Sequence, residues 1–207
     1  MSEEARSDQG RRTGVLCVVS GPSGSGKTTV CRKMVARGGC SYSISCTTRD
    51  PRPGEVDGES YHFLSIDEFE ARIEAGELLE YARVHGRLYG TLKSSVMEHL
   101  KAGTDVLMDI DVQGAALIRQ CDDEFIRHSL ADVFILPPSV DELRSRLEGR
   151  GTETPEQFEL RMENSIAEME HWPNYDYTIV SGSPDEDIEK FVGIIGAERQ
   201  RSSRRSF

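Results

Sequence analysis

Apolar residues in this chain gather into short unbroken runs, separated by longer stretches where apolar and polar positions mix. Residues 15–20 (VLCVVS) are such a run and end in a glycine-rich turn, the pattern of a strand covered on both faces in a parallel sheet. Cys17 falls inside it and reads as a small hydrophobe. Three further runs read the same way: 105–110 (DVLMDI), 131–138 (ADVFILPP), closed by Pro137 and Pro138, and 177–181 (YTIVS). Helices are predicted over 27–37, 112–120, 139–149, 155–171 and 184–201. The order strand–helix, mixed insert, strand–helix, strand, helices, strand–helix predicts an α/β fold. Its core is a doubly wound parallel sheet with helices on both faces.

Two stretches interrupt the alternation, at about 45–92 and 139–162, and both read as mobile inserts on the core. The first opens with CTTRDPRPGEVDGES (46–60), a predicted loop, and continues with a short strand at Tyr61–Leu64. A helix follows in IDEFEARIEAG, stopped by Gly76, then a strand at Leu78–Val84, and HGRLYG reads as a turn. A short helix over 94–102, closed by Gly103, returns the chain to the core, which takes up about 14–44, 93–138 and 163–205. Residues 1–13 are polar and charged and read as a disordered leader.

The length of 207 residues, with 37% hydrophobic and 29% charged, suits one such domain. No apolar run is long enough to span a bilayer, and the N-terminus has no apolar signal core. Five cysteines, an odd number without a C-x-x-C pair, argue against a disulfide framework or a zinc site. The expected location is therefore the cytoplasm, with reduced thiols. Cys46, beside Ser45, is a position where a thiol reagent could touch a pocket. A net charge of −11 disfavours nucleic acid as a partner, so an anionic ligand must be met by locally clustered Arg and Lys. The basic tail RQRSSRRSF (Arg199, Arg201, Arg204, Arg205) reads as the solvated end of a helix, where positive charge suits the dipole. Nothing in the chain decides between a monomer and a homo-oligomer.

The first chemistry-bearing motif is GPSGSGKT at 21–28, which matches G-x-x-x-x-G-K-[ST] between an apolar strand and a helix. Gly21, Gly24 and Gly26 let the backbone curl so that successive amides converge on an anion at a helix N-terminus. Lys27 would reach the β- and γ-phosphates, and the Thr28 hydroxyl would ligate Mg²⁺. Such a core is a P-loop NTPase core; the plainer alternative is a glycine-rich turn with a capping threonine. Asp109 and Asp111 close the second apolar run, at the strand edge where α/β proteins bind ligands. Asp109 is a candidate for the Mg²⁺ shell, and Asp111 could also cap the helix that follows.

In the first insert, Arg49 and Arg52 lie three residues apart with Glu55 close by, either a fork for a phosphate dianion or a solvated charged loop. The ordered set GPSGSGKTT, S-x-TTR-x-PR-x-GE-x-x-G-x-x-Y, LLEYA, YGT, DIDVQGA, ILPPS and RLEGRG resembles the guanylate kinase family. Arg161 and YDYTIVS extend the likeness, which spans all but the two tails.

The resemblance implies a P-loop core with an inserted GMP-binding subdomain and a helical lid, transferring the γ-phosphate of ATP to GMP with Mg²⁺. It assigns ATP to Gly21, Pro22, Ser23, Gly24, Ser25, Gly26, Lys27, Thr28 and Thr29. Arg49, Arg52, Tyr61 and Tyr89 would hold the GMP phosphate, with Glu55 orienting Arg52. Ser45, Glu80, Thr91 and Asp111 would read guanine. Glu80 can accept from N1–H and the N2 amino group, while the Ser45 and Thr91 hydroxyls can donate to O6. Adenine would leave Glu80 facing an acceptor. Arg146, Arg150 and Arg161 would join Lys27 as catalytic groups, Arg146 and Arg150 on one side of a helix, with Gly149 and Gly151 as hinges. By pattern alone Tyr61 and Tyr89 are ordinary half-buried aromatics, and Glu80 is a solvent-facing strand residue. The alternatives for the whole chain are a non-catalytic interaction module of the same fold and a related P-loop sugar-phosphate kinase.

Overall fold

The structure, a computed structural model, describes residues 12–84, 86–148 and 154–205. Its centre is a five-stranded parallel sheet built from β1 (Leu16–Ser20), β2 (Cys40–Tyr42), β7 (Asp105–Asp109), β8 (Leu130–Leu136) and β9 (Tyr177–Val180), in the order β2-β7-β1-β8-β9. Every residue of β1 is buried, because successive side chains enter opposite layers. Cys17 and Val19 pack with Val30 and Met34 of α1 (Lys27–Arg37) and with Ile188 and Phe191 of α8 (Pro184–Arg199). Leu16 and Val18 pack on the other side with Leu100 of α3 (Lys93–Lys101), Ile118 of α4 (Val112–Arg119) and Ile126 of α5 (Glu124–Ser129). The doubly wound α/β core is therefore present, with β2 and α5 added to the expected elements. Both are short, and β2 lies at the sheet edge, so neither leaves a long apolar run.

The insert folds around its own small core of Cys46, Phe69 and Leu88. Its sheet has the order β4-β3-β6-β5, from β3 (Cys46–Thr47), β4 (His62–Phe63), β5 (Leu78–Val84) and β6 (Arg87–Leu92). Helix α2 (Ile66–Glu74) packs on it and starts at a capping box between Ser65 and Glu68. HGRLYG is thus not simply a turn: the chain turns at Gly86, and Arg87 onward forms β6, antiparallel to β5. The predicted loop at 46–60 likewise begins as strand β3. Cys46 points into this core, fully buried, and burial pushes its thiol pKa up, so it is no thiol handle on a pocket.

The second insert is a helical pair, α6 (Val140–Glu148) and α7 (Pro155–Met169), held by Leu143, Leu147 and Met162. A capping box between Thr154 and Gln157, with Pro155 at the first turn, starts α7. Gly149, Arg150 and Gly151 lie outside the described residues.

The basic tail is solvated only in part: Arg201 is exposed, but Arg204 is not. Arg204 is buried with Glu198, donates to the carbonyls of His128 (2.6 Å) and Leu130 (3.0 Å), and pairs with the Glu198 carboxylate. Arg199 and Arg12 both grip the buried Asp105, each at 2.6 Å. Arg12 and Thr13, at the end of the expected leader, are thereby tied to the domain, and the Thr13 amide donates to Arg204. Among the described residues no helix is long and apolar enough to cross a membrane.

Candidate active site

The turn between β1 and α1 forms the cradle. Gly21, Gly24 and Gly26 have φ of 148°, 86° and 101°, and a Cβ on Gly21 would stand 2.3 Å from the Ile135 carbonyl. Only glycine fits there. The curl leaves the amides of Gly24, Gly26, Lys27 and Thr28 without a protein acceptor among the described residues. Pro22 and Ser25 are buried supports of the turn, Ser25 N–H donating to the Pro22 carbonyl at 3.1 Å, and Thr29 is exposed on the first turn of α1. Lys27 folds over the loop and donates to the carbonyls of Gly21 and Pro22, which holds its ammonium over the nest.

Asp109 ends β7 beside this cradle, and the Thr28 hydroxyl donates to its Oδ2 at 3.3 Å. Burial raises the Asp109 pKa, opposed by Lys27 and Thr28. A hydroxyl and a carboxylate oxygen side by side are hard donors of the kind Mg²⁺ accepts, with room left for phosphate and water ligands. The donor set fits the metal. Asp111 has left the strand, and its Oδ1 caps α4 by accepting from the Gly114 amide at 2.8 Å.

Two arginines of the helical pair reach the cradle. Arg161 donates through Nε and Nη2 to Ser23 Oγ at 3.2 and 2.8 Å. Arg146 donates to Ser181 Oγ at 2.9 Å and to the Ser25 carbonyl at 3.5 Å, while Glu142 holds its Nε at 2.8 Å. Ser181 in turn donates to the buried Asp187 at 3.0 Å, which also accepts the Gly182 amide at 2.8 Å. Sequence reasoning missed Ser181 and Asp187. The available signal was the position of Ser181 at the carboxyl end of a core strand, where α/β proteins place ligand-binding groups.

The insert supplies the other half. A cavity of about 150 Å³ is lined by Ser45, Tyr61, Glu80, Tyr89, Asp109 and Asp111, among others. Glu80 is only 6% exposed, so it is no solvent-facing strand residue. Thr91, opposite it on β6, donates to Oε1 at 2.7 Å. That proton is therefore committed to Glu80 in this state rather than offered to a base. Burial pushes the Glu80 pKa up to about 7, the Thr91 bond opposing and Asp111 adding to the rise.

Tyr61 and Tyr89 meet edge to face at 6.0 Å, and the Arg49 guanidinium lies 5.3 Å from the Tyr61 ring. Glu55 takes both terminal nitrogens of Arg49 at 2.9 Å each, and accepts only the backbone amide of Arg52, at 2.7 Å. The guanidinium it orients is thus that of Arg49, not Arg52, because the turn at 52–55 brings the Arg52 amide rather than its side chain to the carboxylate. The Arg49 pairing holds the Glu55 carboxyl below its usual pKa.

Asp109 and Tyr61 line both this cavity and a larger cleft that runs to Lys27 and Thr28, so the two halves form one continuous site. A parallel sheet with a phosphate-binding turn, a helical pair carrying arginines and a second lobe with its own polar cavity define a P-loop phosphotransferase. The guanylate kinase family model matches residues 13–198. The chain is 47% identical to a guanylate kinase of Maricaulis maris over 198 residues, 95% of this chain and 88% of that protein. It is 44% identical to one of Clostridium tetani over 191 residues, 92% of this chain and 89% of that protein. The crystal structure of guanylate kinase from Anaplasma phagocytophilum superposes with a TM-score of 0.78 at 31% identity, covering 95% of this chain and 92% of that one. The chain belongs to the guanylate kinase family.

Proposed function

We propose that this chain transfers the γ-phosphate of ATP to GMP, giving ADP and GDP, in the cytoplasm. The observation that carries the reading is the continuity of the site. A nucleotide whose base lies against Glu80 has its phosphate end toward Tyr61 and Asp109, where the cavity opens onto the cleft of Lys27 and Thr28 that would hold the phosphates of the second nucleotide. A buried carboxylate, a threonine and a serine in one cavity suit guanine better than the hydroxyls of a sugar phosphate, since guanine offers two adjacent N–H donors.

In this reading Glu80 accepts from N1–H and the N2 amino group, with Ser45, Thr91 and Asp111 completing the base site. Arg49, steadied by Glu55, joins Arg52, Tyr61 and Tyr89 on the GMP phosphate. The turn Gly21–Thr29 holds the ATP phosphates, and Thr28 and Asp109 would hold Mg²⁺, which when bound neutralises phosphate charge. The attacking phosphate oxygen is already anionic, so the chain's task is positioning and charge neutralisation rather than proton abstraction. Lys27 swings from the loop carbonyls to the β- and γ-phosphates. Arg146, Arg150 and Arg161 stabilise the equatorial oxygens of the transferring group. In this reading the core takes up about 14–44, 93–138 and 163–205, the GMP lobe about 45–92 and the lid about 139–162.

The test is ADP formation at fixed ATP and Mg²⁺ with GMP, AMP, CMP and UMP offered in turn. Turnover with GMP far above the other three is expected. Equal turnover with AMP would remove the guanine reading, and no turnover by folded protein would point to a binding module.

A further inference from the structure

Behind the Glu80 wall of the base cavity stands a residue with no side chain. Gly114 lies in the first turn of α4 and is buried against β5. A Cβ built on it would stand 2.9 Å from Glu80 Oε2, 3.4 Å from Glu80 Cδ and 3.4 Å from Asp111 Oδ1. Nothing about the backbone demands glycine there, since residue 114 is helical and carries no positive φ. In a helix interior glycine is the less stable choice, and alanine would serve the helix better. The side chain is missing where the Glu80 carboxylate needs the space.

We infer that Gly114 is a specificity-determining position: by lacking a Cβ it lets the Glu80 carboxylate lie against α4, clear of the volume that the base enters. This rests on the reading of Glu80 as the group that recognises guanine. The two carboxylate oxygens differ in a way that sharpens the argument. Oε1 is fixed by the Thr91 hydroxyl at 2.7 Å, whereas Oε2 takes no hydrogen bond among the described residues and is the oxygen that faces Gly114. A methyl group on residue 114 cannot move Oε1 off Thr91 without losing that bond. It instead turns Oε2 away from the helix, toward the open cavity lined by Ser45 and Tyr89. The displaced oxygen then occupies space that a purine ring requires and points away from the pair of donors it must meet.

The experiment is Gly114→Ala, read by steady-state kinetics with GMP and AMP and by thermal unfolding. The expected result is a KM for GMP raised by about tenfold or more, with kcat and the KM for ATP within about threefold of the parent. The GMP-over-AMP preference should fall as well, while Tm does not, because the helix gains a better former. An unchanged GMP KM in a folded variant overturns the inference. A second comparison asks whether the effect passes through Glu80. Glu80→Asp withdraws the carboxylate by one methylene, so adding Gly114→Ala to it should raise the GMP KM by less than about twofold further. The same rise in both backgrounds overturns the inference, because the methyl then acts on something else. Glu80→Gln separates this from the underlying assignment. If that variant keeps the full GMP-over-AMP preference, the guanine reading of Glu80 fails and the Gly114 inference falls with it. If it loses the preference while Gly114→Ala keeps it, only the inference about Gly114 fails.

Discussion

Thr91 stands in register with Glu80 across the β5–β6 hairpin and donates its hydroxyl to the carboxylate at 2.7 Å. That bond is the one protein hydrogen bond the buried carboxylate makes among the described residues, and it does not offset burial: the Glu80 pKa is pushed up to about 7. A folded-state pKa above the unfolded value means that the folded chain binds the extra proton. Stability from this group is fully present below about pH 4 and is lost as pH rises through about 7. Glu80→Gln removes the titration. Urea unfolding should show the variant more stable than the parent by on the order of 3 kcal/mol at pH 8, with the gap closing at pH 4. Parallel pH dependence in the two proteins would show that Glu80 carries no such cost.

If Glu80 reads guanine as proposed, the same titration sets GMP binding. Glu80 must be ionised to accept from two N–H donors, so the KM for GMP should rise by up to about tenfold per pH unit below about 7. Glu80→Gln should weaken GMP and flatten that dependence, while the KM for ATP follows one curve in both proteins. A parent profile that coincides with the Glu80→Gln profile contradicts the role.

Much of this is legible in the sequence, for identifiable reasons. The runs VLCVVS, DVLMDI and ADVFILPP are apolar without a break because their strands are covered on both faces, and the glycines of 21–28 are forced by backbone geometry. β6 was not legible: Arg87 and Gly90 dilute RLYGTL, and its partner β5 supplies the order that propensity does not. Glu80 follows two leucines and looks like any strand glutamate. Only the likeness to a family marked it, because its burial comes from α4 and β6 folding over it. Arg204 shows the limit from the other side. A basic tail reads as solvated, and its partner Glu198 looks like one more helix-surface glutamate until the chain doubles back.

Lys27 donates to the Gly21 and Pro22 carbonyls, a placement that a shorter side chain cannot reproduce. Lys27→Ala should lower kcat by about 10² or more, since one preorganised donor aimed at developing charge is worth that much. The fold should survive, because the glycines rather than the lysine shape the loop. Near-parental turnover in the variant would remove Lys27 from the chemistry.

Arg146 is held at the loop by Ser181, and Ser181 by the buried Asp187. If this chain of bonds presents the arginine to the transferring phosphoryl group, Ser181→Ala should lower kcat by about tenfold with little change in the KM for GMP. Asp187→Asn should do the same, and the two changes combined should cost no more than one, since they cut the same chain. Additive losses, or a loss confined to the GMP KM, would show that Arg146 is placed by other contacts.

The C-terminal staple makes the opposite prediction, for stability without chemistry. Arg204 and Glu198 are both buried, and the arginine also satisfies two carbonyls at the amino-terminal end of β8. The nucleotide site lies at the other end of that sheet, where β1 and β7 run into Gly21 and Asp109. Arg204→Ala leaves Glu198 buried with Tyr177 and the weaker Arg201 contact as partners, and frees two carbonyls at once. Removing one member of a buried pair costs about 3–5 kcal/mol. Chemical unfolding should report a loss of that order, with kcat and both KM values near parental below the new melting transition. Removing the chain from Ser202 onward should do the same. A tail that could be deleted without loss of stability would mean that Arg204 contributes no more than a solvated helix end.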